Sequence, residues 1–275
     1  MVNADWFFAI GKTHDVCEDY AYAEGAPGAA IAVLSDGCSG SSDTDFGARL
    51  LVRAAAERLW NDGIEFDKLR TIYQAAAMAK QIGLQESSLD ATLLCAKAIK
   101  MPAGFLCKIW AQGDGVLVVG RHDGAFEVVE ISYRSGMPSY LSYLLNKDRQ
   151  THFEVETEGN RPVLTCGLYV DQEKSKGDVQ DGKPWPGLAM DYVVHEKFVM
   201  LASDGIQSFQ RKNPDTGVLE AVPCIEVVKQ LLDFKSMKGD FLKRRCKSFL
   251  NKFCVKNGWQ HTDDFSVVAI DLSDQ

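Results

Sequence analysis

One tripeptide occurs twice in this chain, each time closing an apolar run: Ser35-Asp36-Gly37 follows IAVL, and Ser203-Asp204-Gly205 follows FVMLA. In both places a buried strand would deliver an aspartate at its C-terminal end, and the glycine lets the backbone turn sharply or approach a neighbour closely. A third acidic pair, Asp263-Asp264, opens the apolar run FSVVAI. The end of one strand and the start of its antiparallel neighbour share a rim of the sheet, so these three carboxylate sites can converge. Glu18-Asp19, after the first strand-like run, and Asp114, in the tight turn Gly113-Asp114-Gly115, extend the set.

Crowding carboxylates is costly unless something positive neutralises them, and a hard divalent cation is the usual partner. The ligands on offer are oxygens, which favours Mg²⁺ or Mn²⁺ over zinc. Asp-Gly is also a common turn, so either pair alone reads as a turn. Two strand-SDG units and a strand-opening acidic pair in one chain shift the reading to a metal site.

The elements that must position these residues can be read from periodicity. Strand-like runs cover residues 5–10, 30–34, 91–99, 105–111, 115–119, 126–131, 197–202 and 265–270, several followed by Gly or Asp-Gly turns. The tract 105–131 reads as a meander of antiparallel strands. Helical spacing runs from the capping residues Ser42-Asp43-Thr44 to the stop Asn61-Asp62-Gly63, and again over 67–82, 224–234 and 240–256. This order predicts an α+β fold of antiparallel sheet with helices on its faces. Between Met137 and Glu196 the periodicity dissolves, and the polar string DQEKSKGDVQDGKP inside that stretch reads as a surface insertion or flap rather than a linker. The chain is therefore expected to be one domain, 1–275, with a flap-like insertion over 137–196.

Composition narrows the partners. The 275 residues hold 30 Lys and Arg against 38 Asp and Glu, a net charge of −8, with 46% hydrophobic and 25% charged residues. That describes a soluble globular chain, and its acidity argues against gripping nucleic acid or an anionic membrane through bulk charge. No apolar run is long enough to span a bilayer, which needs about 18 residues or more. The N-terminus lacks the basic region of a signal peptide, and eight cysteines occur without a CxxC pair, so a reduced, cytoplasmic setting is expected. From Lys235 to Lys256 eight basic residues stand against one acid, Asp240, leaving the rest of the chain at about −15. That stretch reads either as a solvated helix face or as a docking surface for an acidic protein partner.

Glu18-Asp19, Ser35-Asp36-Gly37 with Ser39-Gly40, Asp90-Ala91-Thr92, Gly113-Asp114, Leu201-Ala202-Ser203-Asp204-Gly205 and Asp263-Asp264-Phe265-Ser266-Val267 follow the order and approximate spacing of a known family. The chain resembles the metal-dependent type-2C protein phosphatases, in a divergent, bacterial-type form, from about residue 10 to residue 271. Single motifs are weak and the ordered set is strong. The resemblance implies two stacked antiparallel β-sheets flanked by α-helices, with metal ions at one end of the sandwich. Carried over by motif, Asp36 would bridge two Mn²⁺ or Mg²⁺ ions. Asp204 and Asp263 would hold the first, Glu18 and the Gly37 carbonyl the second, and Asp114 a third, weaker ion.

The implied activity is hydrolysis of phosphoserine and phosphothreonine in a protein substrate by a water that bridges the two metals. Two such ions lower the pKa of a shared water and screen the phosphate from its acidic surroundings. Two positions depart from the pattern. Many members carry an Arg four residues before the Glu, where it binds phosphate; here His14 stands there, read either as a catalytic and substrate-binding group or as a surface turn residue. Animal and plant members place a proton-donating His two residues after the bridging Asp, where this chain has Cys38, read either as a small packing residue or as a thiol made reactive near a metal. The rival functional reading is a pseudophosphatase that binds and regulates a partner without turnover; a two-metal nuclease is a weaker third, since it would want basic residues beside the metals.

Overall fold

The computed structural model describes residues 1–102, 104–156, 161–171, 173–181, 188–193, 196–213 and 215–273, with backbone alone for 181 and 188–193. Its strands, in chain order, are β1 (Asn3–Ala9), β2 (Tyr20–Ala26), β3 (Ala29–Ser35), β4 (Leu93–Met101), β5 (Gly104–Gln112), β6 (Gly115–Arg121), β7 (Phe126–Tyr133), β8 (Pro162–Val170), β9 (Glu173–Asp181), β10 (Leu188–Val193), β11 (Glu196–Ala202), β12 (Phe209–Lys212), β13 (Leu219–Ala221), β14 (Trp259–His261) and β15 (Phe265–Asp271). The main helices are α1 (Thr44–Asn61), α2 (Lys68–Gln81), α3 (Lys147–Glu156), α4 (Cys224–Leu231) and α5 (Phe241–Ser248). All strand pairs are antiparallel. They form a seven-stranded sheet ordered β1-β15-β11-β6-β7-β8-β9, a five-stranded sheet ordered β10-β5-β4-β3-β2, and a small sheet ordered β13-β12-β14.

The side-chain period of two explains how the layers stack. In β15, Phe265, Val267 and Ala269 face one way while Val268 and Ile270 face the other; β6 and β11 alternate in the same manner. The inward faces of the two large sheets meet in one core. Ala30, Ala32, Ala96 and Ala98 of the five-stranded sheet lie there against Leu117, Leu201, Val268 and Ile270 of the seven-stranded one. On the outer face of the smaller sheet, Ile31, Val33 and Cys95 pack under Leu51, Leu59 and Ile72 of α1 and α2. Each of those three helix side chains, fully buried, contributes about 2 kcal/mol of burial free energy. On the outer face of the larger sheet, Val227, Leu231, Phe241 and Leu242 of α4 and α5 cover Val118, Met200 and Val267. The result is four layers, helix–sheet–sheet–helix, as the expected α+β sandwich requires.

The expected helices all form. The one over 240–256 is α5 followed by a π-helical run, Phe249–Cys254, and a last turn, Val255–Asn257. One expectation is corrected: the tract 105–131 is not a single meander. β5 pairs with β4 and β10 in the five-stranded sheet, whereas β6 pairs with β7 and β11 in the seven-stranded one. The connection is Gly113-Asp114-Gly115, whose glycines sit at φ +91° and +143°, conformations that let the chain cross between sheets. Alternating apolar runs identify strands but not the sheet that takes them up. Of the stretch 137–196, residues 157–160, 172, 182–187 and 194–195 lie outside the described residues. Its described part contains α3, the hairpin β8–β9 at one edge of the larger sheet, and β10 at an edge of the smaller.

Candidate active site

Four chain segments reach one end of the sandwich. β11 ends at Ala202, beside both Val116 of β6 and Val267 of β15, so Asp204, Asp114 and Asp263 leave the seven-stranded sheet at the same rim. Asp36 leaves the five-stranded sheet from the end of β3. Asp114, on the crossing from β5 to β6, belongs to both. Gly205 is needed for this approach, because a Cβ there would lie 1.6 Å from the Asp264 carbonyl oxygen.

The carboxyls feel one another strongly. Asp36 is pushed well above the usual carboxylate range, by burial first and then by the charges of Asp19 and Asp204. Asp114 rises to about 7, through burial and then Asp204, and Asp263 is raised by the same two causes in the same order. Asp19 is raised as well, by burial first, so the carboxyls that Asp36 meets from both sheets share one unfavourable, crowded environment. Among the described residues none of the four rim aspartates has a Lys or Arg ion-pair partner. Nor do any three His, Cys, Asp or Glu side chains there already form a closed cation cage. The buried Oδ1 atoms of Asp19 and Asp204 lack hydrogen-bond partners among the described residues. Orphaned carboxylate oxygens beside carboxyls raised by burial and by one another's charge are a donor set that fits a divalent cation, which would reverse those shifts.

The loop carrying Asp36 is fixed by its backbone. Asp36 N–H donates to Thr92 Oγ1 at 3.0 Å, Thr92 N–H returns a bond to the Asp36 carbonyl at 2.8 Å, and Cys38 N–H donates to the Asp90 carbonyl at 2.8 Å. Gly37 N–H donates to the Glu18 carbonyl at 3.2 Å, and Thr44 Oγ1 donates to Glu18 Oε1 at 2.6 Å, which ties Glu18 to the same loop and to the start of α1. His14 lies among acids: Nε2 is 3.1 Å from Asp263 Oδ1, and Nδ1 is 3.3 Å from Asp264 Oδ2 and 3.6 Å from Glu18 Oε2. Glu18, Asp36, Gly37, Asp114, Asp204, Asp263 and His14 are therefore gathered at one rim.

Several residues to which sequence reasoning gave no role of their own support them. Asp19 is fully buried, accepts from Ser203 Oγ at 2.7 Å, and is raised to about 7, chiefly by burial. Asp264 is buried too and accepts from the backbone N–H groups of Gly11 at 2.7 Å and Glu18 at 2.6 Å. Each acidic pair thus splits into one residue at the rim and one in the framework, as neighbours in an extended chain must. The pairing was visible in the sequence; the division of labour was not. Asp90, 5% exposed, accepts from Ser41 Oγ at 2.8 Å, Ser142 Oγ at 2.6 Å and Arg149 Nη2 at 2.8 and 2.7 Å. This knot joins the Asp36 loop to α3. Tyr140 is buried near the rim, its phenol pushed up by burial and then by Cys38, Asp114 and Asp36.

A family model described as Protein phosphatase 2C matches residues 11–250. No curated protein matches the chain by sequence. Among solved structures the chain is similar in fold to the serine/threonine phosphatase PstP/Ppp of Mycobacterium tuberculosis, at 15% identity and a TM-score of 0.51 with all of both chains covered. It is similar also to the phosphatase domain, with a fragment of the regulatory domain, of the cell fate determinant SpoIIE from Bacillus subtilis. There the identity is 12% and the TM-score 0.53, over all of this chain and 64% of that one. A bacterial serine phosphatase aligns at 13% identity and a TM-score of 0.51, over 100% of this chain and 99% of the other. At these identities the neighbours speak for the fold, and the family model, which spans most of the sequence, assigns the chain to the protein phosphatase 2C family.

Proposed function

We propose that this protein is a Mn²⁺- or Mg²⁺-dependent phosphatase of phosphoserine and phosphothreonine in proteins, acting as a single catalytic domain over 1–275 with the stretch 137–196 bordering its site. The observation that carries the reading is the convergence of Asp36, Asp114, Asp204 and Asp263 from both sheets, with the carboxyls of Asp36, Asp114 and Asp263 raised and no Lys or Arg ion pair on any of the four among the described residues. Asp36 would bridge two ions, Asp204 and Asp263 would hold one, Glu18 and the Gly37 carbonyl the other, and Asp114 a third. Such ions supply Lewis acidity: they lower the pKa of water and offset the charge of a bound phosphate.

The chain's own groups set the rest. Backbone bonds from Thr92 and to the Glu18 and Asp90 carbonyls hold the Asp36-Gly37-Cys38 loop in place before substrate arrives, so little reorganisation is left to the chemical step. His14, the imidazole nearest the rim carboxylates, is the side chain suited to hold a phosphate oxygen or to give a proton to the departing serine or threonine oxygen at Nε2. Water then adds to phosphorus as the ester P–O bond breaks, giving alcohol and inorganic phosphate. Eight free cysteines support a reducing, cytoplasmic setting, and no helix among the described residues is long and apolar enough to cross a membrane.

The test is hydrolysis of an aryl phosphate and of a phosphothreonine peptide with Mn²⁺ and with chelator. Metal-dependent turnover is expected, abolished in Asp36→Asn while the circular dichroism spectrum is unchanged; a folded protein that turns over neither substrate under any divalent metal refutes the enzyme reading. One observation favours a pseudophosphatase as the second reading. Both ring nitrogens of His14 face carboxylates. Such a protein would bind Mn²⁺ and a partner without turnover, and the same assay beside metal-binding calorimetry separates the two.

A further inference from the structure

The ends of β6 and β11 opposite the acidic rim carry a surface of the other sign. β6 runs from Gly115, next to Asp114, to Arg121, and β11 runs from Lys197 and Phe198 toward Asp204. At about 3.3 Å per residue the two ends of these strands are roughly 20 Å apart. A cavity of about 440 Å³ opens there, lined by Arg121, Lys197, Lys229, Phe198 and Phe234. A second of about 320 Å³, lined by Lys235, Phe241, Arg244 and Arg245, adjoins it, and Asp233 and Phe234 line both. Phe234 is the ridge between them. Its ring meets Phe198 edge-on at 6.3 Å and Phe241 edge-on at 5.4 Å, so the floor is the half-buried Phe234 ring backed by two buried rings of the core.

Basic side chains outnumber acidic ones around this floor, where Asp233 lines both cavities and Glu196 stands opposite Arg121 in the strand register. Of six basic side chains, Arg245 alone meets a carboxylate among the described residues, Asp233 Oδ2 at 2.9 Å. Arg244 Nη2 donates to the neutral Lys238 carbonyl at 2.7 Å, and Lys229 Nζ lies 5.9 Å over the Tyr169 ring. Arg121, Lys197, Lys229, Lys235 and Arg244 have no carboxylate ion-pair partner among the described residues. In a chain of net charge −8, five cations without an ion pair among the described residues, around two adjoining cavities, make a locally basic surface.

We infer that this double cavity is a docking groove for an acidic peptide segment of a partner protein, with a bulky apolar side chain seated beside Phe234 and Asp or Glu residues on the flanking cations. Nucleic acid is the poorer occupant. The rings pack edge to face into the core rather than presenting faces for bases to stack on, and the strong net negative charge opposes a long polyanion. Because the groove sits at the far end of the strands that carry Asp114 and Asp204, a docked partner leaves the acidic rim open. The groove holds whatever the outcome of the hydrolysis assay, since it shares no residue with the rim.

Fluorescence anisotropy on the full chain tests this with a short labelled peptide of Asp and Glu around one central Phe, carrying no phosphate, beside the same peptide with Gly for Phe and a single-stranded oligothymidylate of equal charge. Saturable binding of the Phe peptide is expected, at least about tenfold tighter than the Gly peptide or the oligonucleotide, and weakening as salt is raised past about 0.15 M. The double variant Arg121→Glu/Lys197→Glu and, separately, Lys235→Glu should each weaken it about tenfold with unchanged melting temperature. Lack of saturable peptide binding, tighter binding of the oligonucleotide, or folded charge-reversal variants that bind like the wild type would overturn the proposal.

Discussion

Replacing Asp90 by Asn should loosen the fold and the rim together. The carboxylate is 5% exposed and takes four hydrogen bonds, two from the Arg149 guanidinium and one each from the Ser41 and Ser142 hydroxyls. An amide of the same shape keeps one acceptor oxygen, turns an NH₂ toward a donor or hydroxyl, and leaves a guanidinium whose Nη1 is already buried without a hydrogen-bond partner among the described residues. Breaking a buried ion pair from one side costs about 3–5 kcal/mol. The Arg149 side chain is 29% exposed and water can recover part of this, so we expect about 3 kcal/mol. For a domain of this size that is roughly 6–12 °C in melting temperature. Urea unfolding followed by tryptophan fluorescence should show a lower midpoint with an unchanged slope. Arg149→Ala should cost a similar amount, and the double variant little more, with a coupling energy of at least about 1.5 kcal/mol. Since the Asp90 carbonyl receives the Cys38 N–H, Mn²⁺ affinity should fall as well. An Asp90→Asn protein within about 0.5 kcal/mol of wild type, or an additive cycle, would refute the claim that this knot holds the loop.

Two further outcomes concern the carboxyl cluster. Asp19 and Asp114, raised to about 7 in the folded protein, bind more protons folded than unfolded, so the metal-free protein should lose stability as pH rises from about 4 through about 7. Thermal melts in chelator at pH 5.5 and 8 check the sign, and Asp19→Asn, which keeps an acceptor for Ser203 without the charge, should melt higher than wild type at pH 8; a lower melt at pH 5.5 than at pH 8 contradicts it. Gly205→Ala would put a Cβ 1.6 Å from the Asp264 carbonyl oxygen and should cost several kcal/mol or prevent soluble expression, whereas Gly63→Ala, with nothing within 4 Å, should be nearly neutral.

The sequence revealed the strands that are covered on both faces. β3, β4, β11 and β15 read as short continuous apolar runs because helices lie on one side of them and a second sheet on the other. β2, with its Tyr-Ala-Tyr-Ala-Glu pattern at a sheet edge, lacked such a run, and the short polar strands of the small sheet offered no periodicity to read. At the site, the SDG repeats and acidic pairs were legible because each is a local signal at a strand end. The Asp90–Arg149 pair was not, since 59 residues separate partners that only the packing of α3 brings together. The contacts of His14 with Asp263 and Asp264 depend on β1 and β15 lying side by side, which no local pattern states.

Asp36 comes from one sheet and Asp204 and Asp263 from the other, with Asp114 on the strap between them. The candidate site is therefore a seam and not a pocket within one layer. The alanines of the smaller sheet face larger side chains across the core between the layers. Anything that joins Asp36 to Asp204 fastens the layers to each other at one end, so loading at the rim should register as slowed amide exchange deep between the sheets.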